Sequence, residues 1–258
     1  MRIVRFSDGG SPRYGALEDD STRVVVLKGD PLFSPVEPSG QIVELEEIRL
    51  LSPVIPRSKV VGVGKNYADH AREMGGEAPD HPILFLKPNT SVIGPDDPIV
   101  LPSWSQEVHH EAELAVVIKT LAKDVEPDDV DDVILGFMCA NDVSARDAQR
   151  ADGQWTRAKG FDTACPLGPW IVVDPDLDVT DLRVTASVNG ELRQSDTTAH
   201  MLTPVRELVS YVSRVFTLLP GDVIITGTPA GVGPIVEGDH VDIAIQGVGT
   251  LSNPVVRN

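Results

Sequence analysis

Apolar positions along this chain fall in short runs separated by polar, Gly and Pro punctuation, the pattern of strands rather than of long helices. Within the first 50 residues short β-like runs, RIVRF, RYGALE and RVVVLK, alternate with punctuation by Asp, Gly, Pro and Ser, which predicts a small antiparallel unit. Pro53, Pro56 and the polar Arg57-Ser58-Lys59 then mark a junction. A boundary is expected near residue 55, with a small N-terminal domain over 1–55 and a larger domain over 56–258. Beyond it VVGVG reads as a buried strand ending in a glycine turn, and ILFLK (83–87) and PIVL (98–101) as further strands. RVTASVNGELRQS predicts a hairpin turned at Asn189-Gly190, and the closing stretch from Gly221 reads as strands and glycine turns.

Helical periodicity is rarer. TPVRELVSYVSRVF is its clearest instance: Thr203 is expected to cap, Pro204 to start, and Val205, Leu208, Val209, Val212 and Phe216 to line one face. In KNYADHAREMGGEAPD, Asn66 or Asp69 is expected to cap a short helix that Gly75-Gly76 ends. EPDDVDDVILGF predicts a surface helix from about Pro127, with Val130, Val133 and Ile134 on its apolar face, and SARDAQRADG predicts a helix from Ser144. The sum is a mixed, β-rich α+β fold.

Composition narrows the partners more than the fold. With 22 Lys and Arg against 39 Asp and Glu, the formal net charge of -17 opposes binding to nucleic acid or to anionic membranes. MRIVRFSDGG lacks the apolar run of a signal peptide, and no stretch approaches the roughly 18 apolar residues of a membrane span. The chain is therefore read as soluble and cytoplasmic. Cys139 and Cys165 have neither zinc-site spacing nor the density of a disulfide scaffold, and are read as small buried hydrophobes.

Candidate chemistry gathers between His109 and Gln149. Glu111 and Glu113 lie one residue apart in an apolar run, so a strand would put both carboxylates on one face, and Asp142 sits just before the candidate helix start. Three carboxylates among Ala, Leu, Val, Met and Cys would lose hydration at great cost, and a bound cation is the natural remedy. Arg146 and Gln149 share a helix face on the Asp142 side. His70 and Glu73, three apart, are either an exposed ion-paired turn or a general base whose tautomer a carboxylate holds. Lys159 and Asp162 fall in a Gly- and Pro-punctuated loop, Lys87 reads as a strand-end charge, and the acidic run after Glu126 as a solvated face. TGTPAGVG lacks the GK[ST] of a phosphate loop and does not open a helix, so its glycines are turn residues, with Thr228 offering a hydroxyl to an anion. His109, His110, His200 and His240 have no ligand-like spacing and read as structural or solvent-facing.

In order along the chain, KNYADHAREM, HHEAELAVVI, NDVSARDAQ, AKGFDTACPLGPW, VNGELRQ and GDVIITGTPAGVG together closely resemble the fumarylacetoacetate hydrolase family, particularly its acylpyruvase and oxaloacetate decarboxylase branch. The resemblance implies a β-roll or barrel-like catalytic domain, commonly homodimeric. It implies Mg2+ (or Mn2+) on Glu111, Glu113 and Asp142, a water-activating pair in His70 and Glu73, and a catalytic Lys159. Arg146, Gln149 and Thr228 match positions that contact the substrate's carboxylate or oxo groups. The Gly-rich MGGEAPD loop is expected to order as a lid, which leaves substrate size open.

The activity expected first is hydrolysis of the carbon-carbon bond of an acylpyruvate to pyruvate and a carboxylate. Decarboxylation of oxaloacetate, and isomerisation or decarboxylation of 2-hydroxyhepta-2,4-diene-1,7-dioate in aromatic catabolism, use the same site. A non-catalytic metal-dependent binding protein is the remaining reading.

Overall fold

The structure, a computed structural model, describes residues 1–18 and 21–257. Four strands, β1 (Arg2–Ser7), β2 (Arg13–Leu17), β3 (Arg23–Leu27) and β4 (Pro38–Glu44), form an antiparallel meander around Val4, Phe6, Leu17, Val24 and Val26. A short strand, β5 (Arg49–Leu51), returns to β1. The central part contains β6 (Val60–Gly64), α1 (Ala68–Glu73), β7 (Ile83–Lys87), β8 (Val92–Ile93), β9 (Ile99–Leu101), β10 (Val108–His110), β11 (Ala112–Ile118) and β12 (Ile134–Asn141). After these come β13 (Ser144–Ala145), α2 (Arg146–Ala151), α3 (Thr156–Gly160) and β14 (Cys165–Val172). The last part holds β15 (Arg183–Val188), β16 (Glu191–Thr197), α4 (Val205–Val215), β17 (Val223–Ile225), β18 (Gly233–Pro234), β19 (His240–Ile245) and β20 (Gly249–Arg257).

Twelve strands share the largest sheet, whose order is β4, β3, β2, β1, β14, β12, β11, β17, β6, β7, with β5 and β8 paired to its side. The N-terminal meander continues this sheet, because β1 pairs with β14 at Arg2↔Val172 and Ile3↔Ile171. Five strands, β16, β15, β19, β20 and β9, form a second sheet, and β13, β10 and β18 a small third one. The fold is thus mixed and strand-rich, and the barrel-like closure that the resemblance implied does not occur: among the described residues the largest sheet is open, ending at β4 and β7.

At the centre of this sheet β11 is buried over all seven residues, so its sequence lacks the polar alternation of a half-exposed strand. Its two faces still differ. Leu114, Val116 and Ile118 pack into the larger core, while Ala115 and Val117 pack with Ile3, Val60 and Met138. The β15–β16 hairpin turns at Asn189 and Gly190, both in the left-handed region at φ 53° and 78°, as a primed two-residue turn requires. α4 buries Val205, Leu208, Val209 and Val212 as its periodicity predicts, with Phe216 packed against the same core.

Several local expectations fail, each because a distant partner takes the residue. The predicted surface helix after Glu126 is a 3-10 segment over Pro127–Asp132, and Ile134 begins β12 instead, opposite Ile118 of β11. Thr203 and Asn66 do not cap helices. The Asn66 side-chain amide donates to the Thr203 and Thr226 carbonyls and its oxygen accepts from Thr203 N, so it joins three segments. Asp69 does not cap α1 either, whose first flanking residue is Tyr67. Ser144 lies in β13, opposite His109, and the helix begins at Arg146. Lys159 sits on the short helix α3 rather than in a loop.

Candidate active site

The register of two neighbouring strands assembles the acidic centre. β11 and β12 pair with Ala112↔Asn141 and Glu113↔Ala140, which brings Asp142 beside Glu111, and Asp142 N donates to the Glu111 carbonyl at 3.0 Å. Glu111, Glu113 and Asp142 are 3%, 1% and 1% exposed, and one carboxylate oxygen from each lies within 4.8 Å of the others.

Three buried cations surround this group. Lys159 Nζ donates to Glu111 Oε2 at 3.0 Å, to Ser144 Oγ at 2.8 Å and to Asp142 Oδ2. Lys87 Nζ donates to Asp142 Oδ1. Arg146 donates through Nη2 to Glu111 Oε1 and through Nη1 to Gln149 Oε1, at 2.8 Å in the second case. Burial resists ionisation of Glu111, but Arg146 and Lys159 outweigh it and hold its carboxyl well below the usual range. Lys159 is likewise opposed by burial and held charged by Asp142 and Glu111.

Glu113 differs. Among the described residues its carboxylate meets no Lys or Arg and accepts one hydrogen bond, from Gly227 N at 2.7 Å. Burial, then the neighbouring Asp142 and Glu111 carboxylates, push its pKa well above the ordinary value. A buried carboxylate with no counter-ion, next to two more hard oxygen donors, fits a divalent cation of the Mg2+ or Mn2+ type.

On the opposite wall His70 is 5% exposed, which excludes the exposed-turn reading. Its Nδ1 lies 3.1 Å from Glu73 Oε2, and its Nε2 is 4.0 Å from Glu111 Oε1. A carboxylate only accepts, so Nδ1 carries a proton toward Glu73, and Nε2 is directed at the acidic centre. Glu73 Oε1 accepts from Gly231 N at 3.0 Å, which ties α1 to the loop after β17. Gly231 has φ +99°, and a Cβ there would lie 2.3 Å from the Arg193 carbonyl, so this contact needs glycine. Thr228, in the same loop, accepts from Gln194 Nε2 at 2.7 Å, which leaves its hydroxyl proton free for another acceptor.

These groups enclose a cavity of about 180 Å3. His70, Glu111, Glu113, Arg146, Gln149, Lys159 and Thr228 line it together with Val63, Gly64, Lys65, Met74, Arg150 and Trp155. Glu73 reaches it through His70, and Asp142 through Glu111 and Lys159. Every site residue selected from the sequence therefore converges on one place.

Sequence reasoning missed others. Lys87 does end β7, but as a buried ion-pair partner rather than a surface charge: it is 1% exposed, and the signal was the period of two in ILFLK, which turns Leu86 outward at 45% exposed and Lys87 inward. Gln194 is fully buried and joins β16 to the site, accepting from Ala112 N at 2.9 Å and from His110 Nδ1 at 3.1 Å. Its motif, VNGELRQ, was noticed, but nothing local marked the glutamine. Trp155 packs edge-on against Phe85 with ring centroids 5.6 Å apart, and Lys159 Nζ lies 4.9 Å from the centroid of Phe85. Cys139 and Cys165 are buried as predicted, and burial pushes both thiols up to about 12. No helix among the described residues is long and apolar enough to cross a membrane.

A family profile described as fumarylacetoacetate (FAA) hydrolase C-terminal matches residues 59–256, and one described as Rv2993c-like, N-terminal, matches residues 1–53. The chain belongs to the fumarylacetoacetate hydrolase family and is one of its enzymes. It is 54% identical to Protein Rv2993c of Mycobacterium tuberculosis, over 89% of this chain and 84% of that one. To the mitochondrial oxaloacetate tautomerase fahd2 of Xenopus laevis it is 38% identical, over 99% of this chain and 90% of the relative. The crystal structure of 5-carboxymethyl-2-hydroxymuconate delta-isomerase from Mycobacterium smegmatis superposes with a TM-score of 0.92 at 48% identity, covering both chains fully. Maleylpyruvate hydrolase from Sphingobium sp. SYK-6, solved with manganese (II) and pyruvate, superposes with a TM-score of 0.82 at 30% identity, again over both full chains.

Proposed function

We propose that this enzyme binds Mg2+ or Mn2+ on Glu111, Glu113 and Asp142 and cleaves a carbon-carbon bond of an acylpyruvate-type 2,4-dioxo acid by hydrolysis. The carrying observation is the His70–Glu73 pair, with Nδ1 committed to Glu73 at 3.1 Å and Nε2 directed into a cavity that also contains a cation-ready acidic centre. When bound, the cation supplies Lewis-acid polarisation of the 2-oxo acid. Arg146, Gln149 and the free Thr228 hydroxyl proton orient the carboxylate and oxo oxygens.

His70 Nε2 removes a proton from water, whose oxygen adds to the distal carbonyl carbon. Lys159, its three N–H donors engaged by Glu111, Asp142 and Ser144, stabilises the developing oxyanion through its positive charge. Collapse breaks the bond between C3 and that carbon, the electron pair stays on C3, and the proton held by His70 is returned there. Pyruvate and a carboxylate result. Similarity to a maleylpyruvate hydrolase that was solved with manganese and pyruvate supports this reading. Purified protein should turn over acetylpyruvate or fumarylpyruvate with Mg2+ or Mn2+ and stop with chelator. Failure on both substrates, with turnover of another 2-oxo acid, would overturn the hydrolase assignment.

A second reading keeps the site and omits the water. The chain is more similar to the tautomerase and isomerase relatives than to the hydrolase, at 38% and 48% identity against 30%. Here His70 would move a proton between C3 and an oxygen or a remote carbon, acting on oxaloacetate or on 2-hydroxyhepta-2,4-diene-1,7-dioate. Loss of the oxaloacetate enol absorbance with no release of carbon dioxide or pyruvate selects it. The enzyme is further proposed to act in the cytoplasm and to be a homodimer, the second of which sedimentation of the purified protein tests directly.

A further inference from the structure

The cavity contains a cation that the acidic centre does not claim. Lys87, Lys159 and Arg146 each hold a carboxylate of Glu111 or Asp142, and Arg150 at the rim holds Glu107. Lys65 also lines the cavity, half-buried, and among the described residues its ammonium meets no carboxylate and no other acceptor. In a chain of net charge -17 an unpaired, partly desolvated ammonium is unusual, since acidic partners are abundant.

Its backbone is equally particular. Lys65 follows β6 directly and has φ +57°, a left-handed conformation that a residue with a Cβ seldom adopts. This turn separates β6 from α1 and lets Lys65 and His70 face the same space. The ammonium lies beside the loop after α1, with Lys65 Nζ 2.7 Å from where a Cβ on Gly76 would stand. An unpaired cation set on a left-handed turn and open to a ligand cavity points to a ligand anion.

We infer that Lys65 binds a second carboxylate of the substrate, at the end remote from the 2-oxo acid. This rests on the 2-oxo acid reading given above and narrows it. The preferred substrates would be dicarboxylates, namely acylpyruvates whose acyl arm ends in a carboxylate, or oxaloacetate, rather than acylpyruvates with an apolar arm.

The test uses Mn2+-loaded full-length His70→Ala protein, in which turnover is suppressed, titrated calorimetrically with fumarylpyruvate, acetylpyruvate and oxalate. Adding Lys65→Met should weaken fumarylpyruvate about tenfold or more, because a charge-assisted hydrogen bond is lost, with acetylpyruvate and oxalate changed less than about twofold. Lys65→Arg should restore most of the fumarylpyruvate affinity. Equal weakening of fumarylpyruvate and acetylpyruvate, or no weakening of fumarylpyruvate, overturns the Lys65 assignment alone. If the parent His70→Ala protein binds none of the three ligands, the 2-oxo acid reading fails, and the Lys65 assignment with it.

Discussion

At the inner wall of the cavity, Lys87, Lys159 and Arg146 meet Glu111 and Asp142, and none of these five side chains belongs to a residue more than 3% exposed. At the mouth, Glu73 has a side chain 32% exposed and Lys65 is half-buried without an anion. The inner charges stand on or beside strands of the central sheet and hold one another, so removing one strands its partners in a low-dielectric core. The outer groups stand on α1 and the turns around it, where water screens a loss. Stability and turnover should therefore separate along this line.

The largest effect is expected from Asp142→Ala, which leaves the Lys87 and Lys159 ammoniums buried without their shared anion. Urea denaturation should show a loss of about 3–5 kcal/mol, together with loss of Mn2+ binding. A loss below about 1 kcal/mol would erase the distinction between the two regions. His70→Ala comes next in the opposite sense. It should lower kcat by about 10²–10⁴-fold while Mn2+ affinity and the urea midpoint stay close to wild type. A midpoint that falls as far as that of Asp142→Ala would place His70 among the structural groups.

Metal removal probes the one inner carboxylate without a cation. At a free Mg2+ concentration 100 times Kd, binding to the native state alone adds about 2.7 kcal/mol, and chelator should lower the Tm by several degrees. In Glu113→Gln the neutral amide removes the buried like charge, so the metal-free protein should be no less stable and the response to Mg2+ should vanish. If the variant keeps the full Mg2+ response, Glu113 is not a ligand.

The smallest effect concerns the cysteines. With both thiols pushed from 9.0 to about 12 by burial, Ellman's reagent at pH 8 should react with neither until guanidinium unfolds the chain, and then with two. Between pH 9 and 12 the unfolded chain releases these protons while the native state retains them, so this contribution makes stability fall as pH rises. Fast labelling of the native protein would show that the sheet around Cys139 and Cys165 opens.

Much of this architecture is written in local periodicity. The one-residue spacing of Glu111 and Glu113 in EAELAVVI already set both on one side, the stripe from Val205 to Phe216 gave α4 its buried side, and Asn189-Gly190 marked its hairpin. Family motifs selected His70, Asp142, Arg146, Gln149, Lys159 and Thr228, all of which reach one cavity directly or through a neighbour. Those readings succeed because strand and helix periods and turn preferences depend on neighbours a few residues away.

Partnership is another matter. That Asp142 lies against Glu111 follows from the register of β11 on β12, and that Lys87 is buried on Asp142 follows from an edge strand 55 residues upstream. Gln194 comes from the other sheet, and Asn66 is diverted from capping α1 to clasp Thr203 and Thr226. Only the assembled sheets decided which charges would be paired inside and that Lys65 would be left without an anion. Burial and register are properties of surfaces brought together from remote segments, whereas the sequence by itself determined the faces that those surfaces present.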